Sequence, residues 1–115
     1  MKDRHLDSQK RLEQILKAIS EIEKYVEGQN RISFCDNGLV QDAVLMQFIV
    51  IGESIDYVEI EKLLKYDYPW YKVKSFRNMI AHEYFNIKMG AVWEIIQKDL
   101  PNLKSMITII LETEF

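Results

Sequence analysis

Six apolar residues near the start of the chain constrain its fold more than any other feature. Leu12, Ile15, Leu16, Ile19, Ile22 and Val26 recur at steps of three and four, which lays one stripe along a helix. Lys10, Arg11, Glu13, Lys17, Glu21 and Lys24 take the opposite face. Such a helix has to bury its stripe against something else. Four Gly and two Pro in 115 residues leave few turns, which disfavours a sandwich or a barrel. The expected fold is all-α: an antiparallel bundle of four to five helices, with residues 1–115 as one domain.

The first helix spans about residues 7–27, and Gly28 follows as its stop. Residues 29–38 read as a connection in which Asp36 or Asn37 can cap the next helix. That helix runs from about Leu39 past Glu53. Its stretch from Val44 to Ile51 is apolar except for Gln47, and its β-branched residues would also suit a buried strand. The lack of any breaker there, and helical neighbours on both sides, favour helix. A helix apolar nearly all round must be covered on several sides, at the centre of a bundle or at a subunit interface. Residues 55–66 continue as helix or helical connection. Pro69 suits the first turn of a helix reaching Glu83 or Tyr84. Asn86 starts another, with Val92, Ile95, Ile96 and Leu100 inward. Pro101 breaks or restarts the chain, and Leu103, Met106, Ile107 and Ile110 stripe the last helix.

Composition narrows the function classes. With 48% hydrophobic and 29% charged residues the chain reads as globular. No apolar run approaches the length that spans a bilayer, so no membrane association is expected. Met1-Lys2-Asp3-Arg4-His5 lacks the apolar centre of a secretory leader. Cys35 is alone, so there is no disulfide framework, and a reducing cytoplasm is the expected compartment. Cys35 reads as a small buried side chain rather than a nucleophile. Two distant histidines and one cysteine make a poor zinc centre, and no Walker-type or GxGxxG sequence supports a nucleotide site. No metal and no cofactor are expected.

The chemistry is concentrated in Arg77-Asn78-Met79-Ile80-Ala81-His82-Glu83-Tyr84, an R-x4-H-x-Y pattern at a helix end. Arg grips phosphate oxygens in pairs, His moves a proton near neutral pH, and Tyr offers a hydroxyl. On a helix, Arg77 and His82 are offset by roughly 140°, so they flank a groove rather than stack. Residues 62–88 carry six bases (Lys62, Lys65, Lys72, Lys74, Arg77, Lys88) against two acids, a +4 segment in a chain of net −3. A positive patch on an acidic body suits a selective anion site; a solvated lysine-rich face is the plainer alternative. For RNA this set suffices without a metal. A base takes the 2′-hydroxyl proton, the oxygen attacks phosphorus, an acid protonates the leaving oxygen, and Arg77 stabilises the charge. One His serves one proton transfer. A second would come from a symmetry-related copy, because His5, the other histidine, sits near the terminus. The competing readings are structural. Arg77 could pair with Glu53 or Asp56, His82 could be an ordinary helix-end residue, and Tyr84 could be core. A basic cleft that binds nucleotides is a further alternative.

The resemblance extends beyond this octapeptide. Leu12-Glu13-Gln14-Ile15-Leu16-Lys17-Ala18-Ile19 through Tyr25-Val26-Glu27-Gly28 is similar to the first helix of HEPN domains of the HepT type. Asp42-Ala43-Val44-Leu45, Phe48 and Ile51-Gly52-Glu53 resemble their second helix. Pro69-Trp70 and Arg77-Asn78 to His82-Glu83-Tyr84-Phe85 resemble the signature helix. Val92-Trp93-Glu94-Ile95-Ile96 and Asp99-Leu100-Pro101 resemble the closing segment. The resemblance implies a HEPN-like bundle, homodimeric or larger, acting as the ribonuclease toxin of a HEPN/MNT toxin–antitoxin module. It implies metal-independent RNA cleavage by Arg77 and His82, with Asn78 in support; the basic segment, read by itself, makes Lys72, Lys74 and Lys88 the expected RNA-binding residues. It also implies an MNT-type nucleotidyltransferase antitoxin that transfers AMP from ATP to Tyr84, adding bulk and negative charge beside the site. A non-catalytic partner of such a nucleotidyltransferase is the alternative within the same resemblance. The chain departs from many relatives at Met46 and Ile49, where they carry an Arg and a Glu.

Overall fold

The computed structural model describes residues 3–115; Met1 and Lys2, part of the N-terminal reading above, lie outside the described residues. Four long helical rods and two short helices make up the chain, with no strand among the described residues. Helix α1 (Arg4–Tyr25) begins at Asp3, whose carboxylate accepts from the Leu6 amide at 3.1 Å. Gly28 takes φ +78° just beyond its end, a conformation that strains any side-chain-bearing residue. Helix α2 (Arg31–Cys35) was not expected. Asn30 and Ser33 build a reciprocal cap at its start, and Phe34 is buried from it. Of the two candidate caps for α3 (Gly38–Ile55), Asn37 does the work, accepting from the Val40 amide at 3.2 Å.

The short helix α4 (Ile60–Leu63) interrupts the turn between α3 and α5 (Trp70–His82). Pro69 precedes the first helical residue of α5, and the buried Trp70 donates its indole N–H to the Leu63 carbonyl at 3.0 Å. A single 3₁₀ turn (Tyr84–Asn86) follows. Helix α6 (Met89–Glu94) therefore starts three residues later than Asn86. It continues through a π-helical segment (Ile95–Asp99) into α7 (Leu100–Glu114). Pro101 consequently breaks nothing. A proline in a regular α-helix lacks an N–H and collides with the carbonyl four residues back, and the wider turn just before it relieves both.

Cross-contacts show the rods to be antiparallel. Gln14 meets Ser54, and Ser8 accepts from the Glu59 amide, so the start of α1 lies at the end of α3. Asp56 at the end of α3 meets Lys74 early in α5. Glu23 pairs with Lys104, and the His5 and Phe115 rings lie 4.5 Å apart, which runs α7 against α1. One cluster of buried side chains joins all four rods, including Leu12, Ile15 and Ile19 of α1, Phe48 and Ile51 of α3, Trp70 and Ile80 of α5, and Leu103 and Ile107 of α7. Each fully buried Leu or Ile contributes about 1.5–3 kcal/mol. Helix α3 is long and apolar enough by length and composition to cross a bilayer, contrary to the sequence expectation. Its apolar character has a simpler use here: it packs against both α1 and α5. Cys35 is exposed, not buried as expected, because α2 turns Phe34 inward instead.

Candidate functional site

The motif helix α5 crosses α3 at Gly52. A Cβ built on Gly52 would stand 2.3 Å from Arg77 Cβ and 2.7 Å from its Cγ, so only glycine lets the Arg77 stem lie across α3. That close approach fixes where the guanidinium emerges. Nη1 donates to Glu53 Oε1 at 2.9 Å, Nη2 to Asp56 Oδ2 at 2.9 Å, and Nε to Asn78 Oδ1 at 2.8 Å. The Arg77 side chain is only 14% exposed. Burial would lower its pKa, but hydrogen bonds and charge from Asp56 and Glu53 outweigh this and hold it above the ordinary arginine range. Lys74 closes the cluster with Asp56 at 3.2 Å. Two cations thus face two carboxylates.

This outcome corrects the reading of residues 62–88 as a positive patch. Lys62 pairs with Glu59, Lys65 with Glu114, Lys74 with Asp56, and Arg77 with Glu53 and Asp56. The acids come from outside the segment. Among the described residues, Lys72 and Lys88 have no ion pair. Lys72 does not join the Arg77 cluster: it lines a cavity of about 320 Å³ between α5, α3 and α7, with Phe48, Ile51, Tyr68 and Phe76. Tyr68, half-buried there, has its pKa raised by burial and by the charge of Asp99.

His82 is the last residue of α5 and is exposed, with no hydrogen-bond partner among the described residues. Tyr84 is not core. It is 40% exposed, and its hydroxyl donates to Asp42 Oδ1 on α3. That hydrogen bond, with partial burial and the charge of Asp42, raises the phenol's pKa. Phe85 beside it is 97% exposed, its ring edge-on to Tyr84 at 5.4 Å. Arg77 and Tyr84 therefore reach the same side of α3, at Glu53 and Asp42. Eleven residues separate those two positions, about three helical turns, so they share a face roughly 16 Å apart. Met46 and Ile49 lie between them. The sequence named Glu53 and Asp56 as candidate partners of Arg77 but missed Asp42. The signal was available: Asp42, Met46, Ile49 and Glu53 form one helical stripe, and its ends are acidic.

No group of three or more His, Cys, Asp or Glu that could hold a metal occurs among the described residues.

The chain is thus a bundle of antiparallel helical rods, with an arginine pinned at one helix crossing and a histidine and tyrosine exposed at the helix end beyond it. The family described as "Ribonuclease HepT-like" matches residues 15–110, and the chain belongs to it. Relatives agree. A protein of Methanocaldococcus jannaschii named "Gamma-glutamylcyclotransferase and putative RNase" is 34% identical over 102 residues, 88% of this chain and 46% of that protein. A "Putative RNase" of Caldanaerobacter subterraneus subsp. tengcongensis is 32% identical over 102 residues, 84% of this chain and 89% of that protein. The "Probable ribonuclease HepT" of Thermococcus cleftensis is 30% identical over 105 residues, 90% of this chain and 93% of that protein. The chain spans less than half of the first of these and most of the other two. No solved structure matches it.

Proposed function

We propose that the chain, as one folding unit over residues 1–115, is a metal-independent endoribonuclease, the toxin of a two-component module. Arg77 and His82 are its reacting residues and Asn78 holds Arg77. What supports the reading is the pairing of an immobilised guanidinium with a solvent-exposed imidazole on one helix end, in a chain of the HepT-like ribonuclease family. A guanidinium has five N–H donors, and three are used by Asn78, Glu53 and Asp56. One N–H on each terminal nitrogen is left for the two oxygens of a phosphodiester. His82 takes or gives the proton at the ribose hydroxyl or the leaving oxygen.

One His82 serves one of the two proton transfers, so a second copy is needed to complete the cleft. The outer face of α3 suits that role. Leu39, Met46 and Phe85 expose apolar side chains around the Tyr84–Asp42 contact. A homodimer across this face brings two His82 residues to one crevice, which Lys88 and Lys74 border. Tyr84 is the residue an MNT-type nucleotidyltransferase antitoxin modifies with AMP, and the cytoplasm is the setting.

Purified protein incubated with RNA in excess EDTA tests the reading. Cleavage leaving cyclic phosphate ends is expected, with a loss of about 100-fold or more in His82→Ala. Equal cleavage by that variant defeats it. A second reading, a non-catalytic partner of the nucleotidyltransferase, draws support from the neutral Glu53–Arg77–Asp56–Lys74 cluster. Growth arrest on expression of this chain alone, relieved by His82→Ala, excludes that alternative.

A further inference from the structure

Asp42 on α3 makes one tertiary hydrogen bond among the described residues. Among the described residues it has no ion pair, and its hydrogen bond is the one it accepts from the Tyr84 hydroxyl, 42 residues away in sequence. Asn37, not Asp42, caps α3. Both partners are exposed. The fold therefore carries a carboxylate to one phenol oxygen and asks nothing else of it.

Phenols are weak nucleophiles until the proton leaves, and Tyr84 holds its proton more firmly than an ordinary tyrosine. Any reaction at its oxygen needs an acceptor already in contact. We propose that Asp42 is the general base for modification of Tyr84, so that the modified chain, and not the modifying enzyme, supplies the base. This rests on reading Tyr84 as the nucleotide acceptor. A partner nucleotidyltransferase presents a nucleoside triphosphate with its divalent cation. Tyr84 Oη forms a bond to the α-phosphorus while its proton passes to Asp42 Oδ1. The bond from the α-phosphorus to the bridging oxygen breaks, and pyrophosphate leaves with the electron pair. Protonated Asp42 then returns its proton to water.

Two other tyrosines sharpen the assignment. Tyr71 is 67% exposed, more than Tyr84, but no carboxylate sits on its hydroxyl among the described residues. Tyr66 does donate to a carboxylate, Glu114 Oε2 at 2.9 Å. That carboxylate also binds Lys65 at 2.8 Å, and the two hydrogen bonds hold its pKa down, which makes it a poor proton acceptor. Tyr84 alone among these three joins exposure to a carboxylate with no cation against it.

The test mixes the full chain with the nucleotidyltransferase, ATP and Mg²⁺, and follows the AMP adduct by intact mass and peptide mapping. Wild type is expected to be modified at Tyr84. Asp42→Asn keeps an acceptor oxygen but removes the charge, and is expected to slow transfer about 100-fold or more, with Asp42→Glu recovering part of the rate. Thermal melting and co-elution with the nucleotidyltransferase verify that the variants fold and dock. With 3,5-difluorotyrosine at position 84 the phenol is more acidic and depends less on a base, so the Asp42→Asn defect is expected to shrink. A merely positioning role leaves that defect unchanged. Transfer to Asp42→Asn at the wild-type rate, or a defect that fluorination does not reduce, overturns the assignment of Asp42 and leaves Tyr84 as acceptor standing. No adduct on wild-type Tyr84 removes both.

Discussion

The two halves of helix α5 are built on different terms. From Trp70 to Arg77 every inward side chain is engaged. Trp70 is buried and hydrogen-bonded to Leu63, Val73 and Phe76 pack on the core, and Arg77 lies across Gly52 with three oxygen partners. Beyond Ile80 the helix end is open: Ala81 through Asn86 are all exposed, and Tyr84 is tethered to α3 by one hydrogen bond. Under the proposed function, the difference separates two requirements. A charge that must meet a phosphate at a fixed place gains from being held in advance. A side chain that must move a proton or be modified has to be reachable.

Five substitutions would break or sharpen that contrast. Trp70→Ala, in the anchored half, should cost about 3–5 kcal/mol, read by urea unfolding, because it opens a cavity and leaves the Leu63 carbonyl without its donor. Gly52→Ala should cost about 1–3 kcal/mol net, since the new methyl must push Arg77 and α5 away, and the gain of about 1 kcal/mol from helix propensity does not offset this. RNA cleavage should fall along with stability in that variant. At the open end the effects are smaller. The Tyr84 phenol should titrate above the ordinary tyrosine range in the difference spectrum between wild type and Tyr84→Phe. A raised folded-state pKa stabilises below the unfolded value and is lost as pH climbs through the folded one, so the stability that the phenol's proton lends this contact should be lost on the alkaline side. Asp42→Ala should bring the titration down. Phe85→Ser should change the isolated chain's stability by less than about 0.5 kcal/mol. Any larger effect, read against protein concentration, would measure assembly across the α3 face.

The amphipathic stripes carried most of the architecture. The α1 pattern, the motif helix and the Asn37 cap were readable because each rests on local spacing or local hydrogen bonding. The short helix α2 was not, since its cap pairs Asn30 with Ser33, and five residues are too few for a period. The charge pattern misled for a physical reason. Counting along the chain treats Lys62, Lys65, Lys74 and Arg77 as neighbours of one another, whereas folding sets each against an acid from Asp56, Glu53, Glu59 or Glu114. The motif residues were legible as a set, but their division into one clamped and two accessible groups depends on Gly52 and Asp42, on a different helix.

The wide turn before Pro101 also sets how the last rod can change length. Val92, Ile96 and Leu100 all face inward although two successive steps of four overshoot two regular turns by about 80°. The π segment absorbs that surplus, in effect hosting one additional residue. Excising a single residue from positions 95–99 should therefore return the rod to ordinary winding with its interior face preserved. The shortened rod would tolerate this only if Pro101 were exchanged as well, so insertion and proline form one unit that protein engineers should move together.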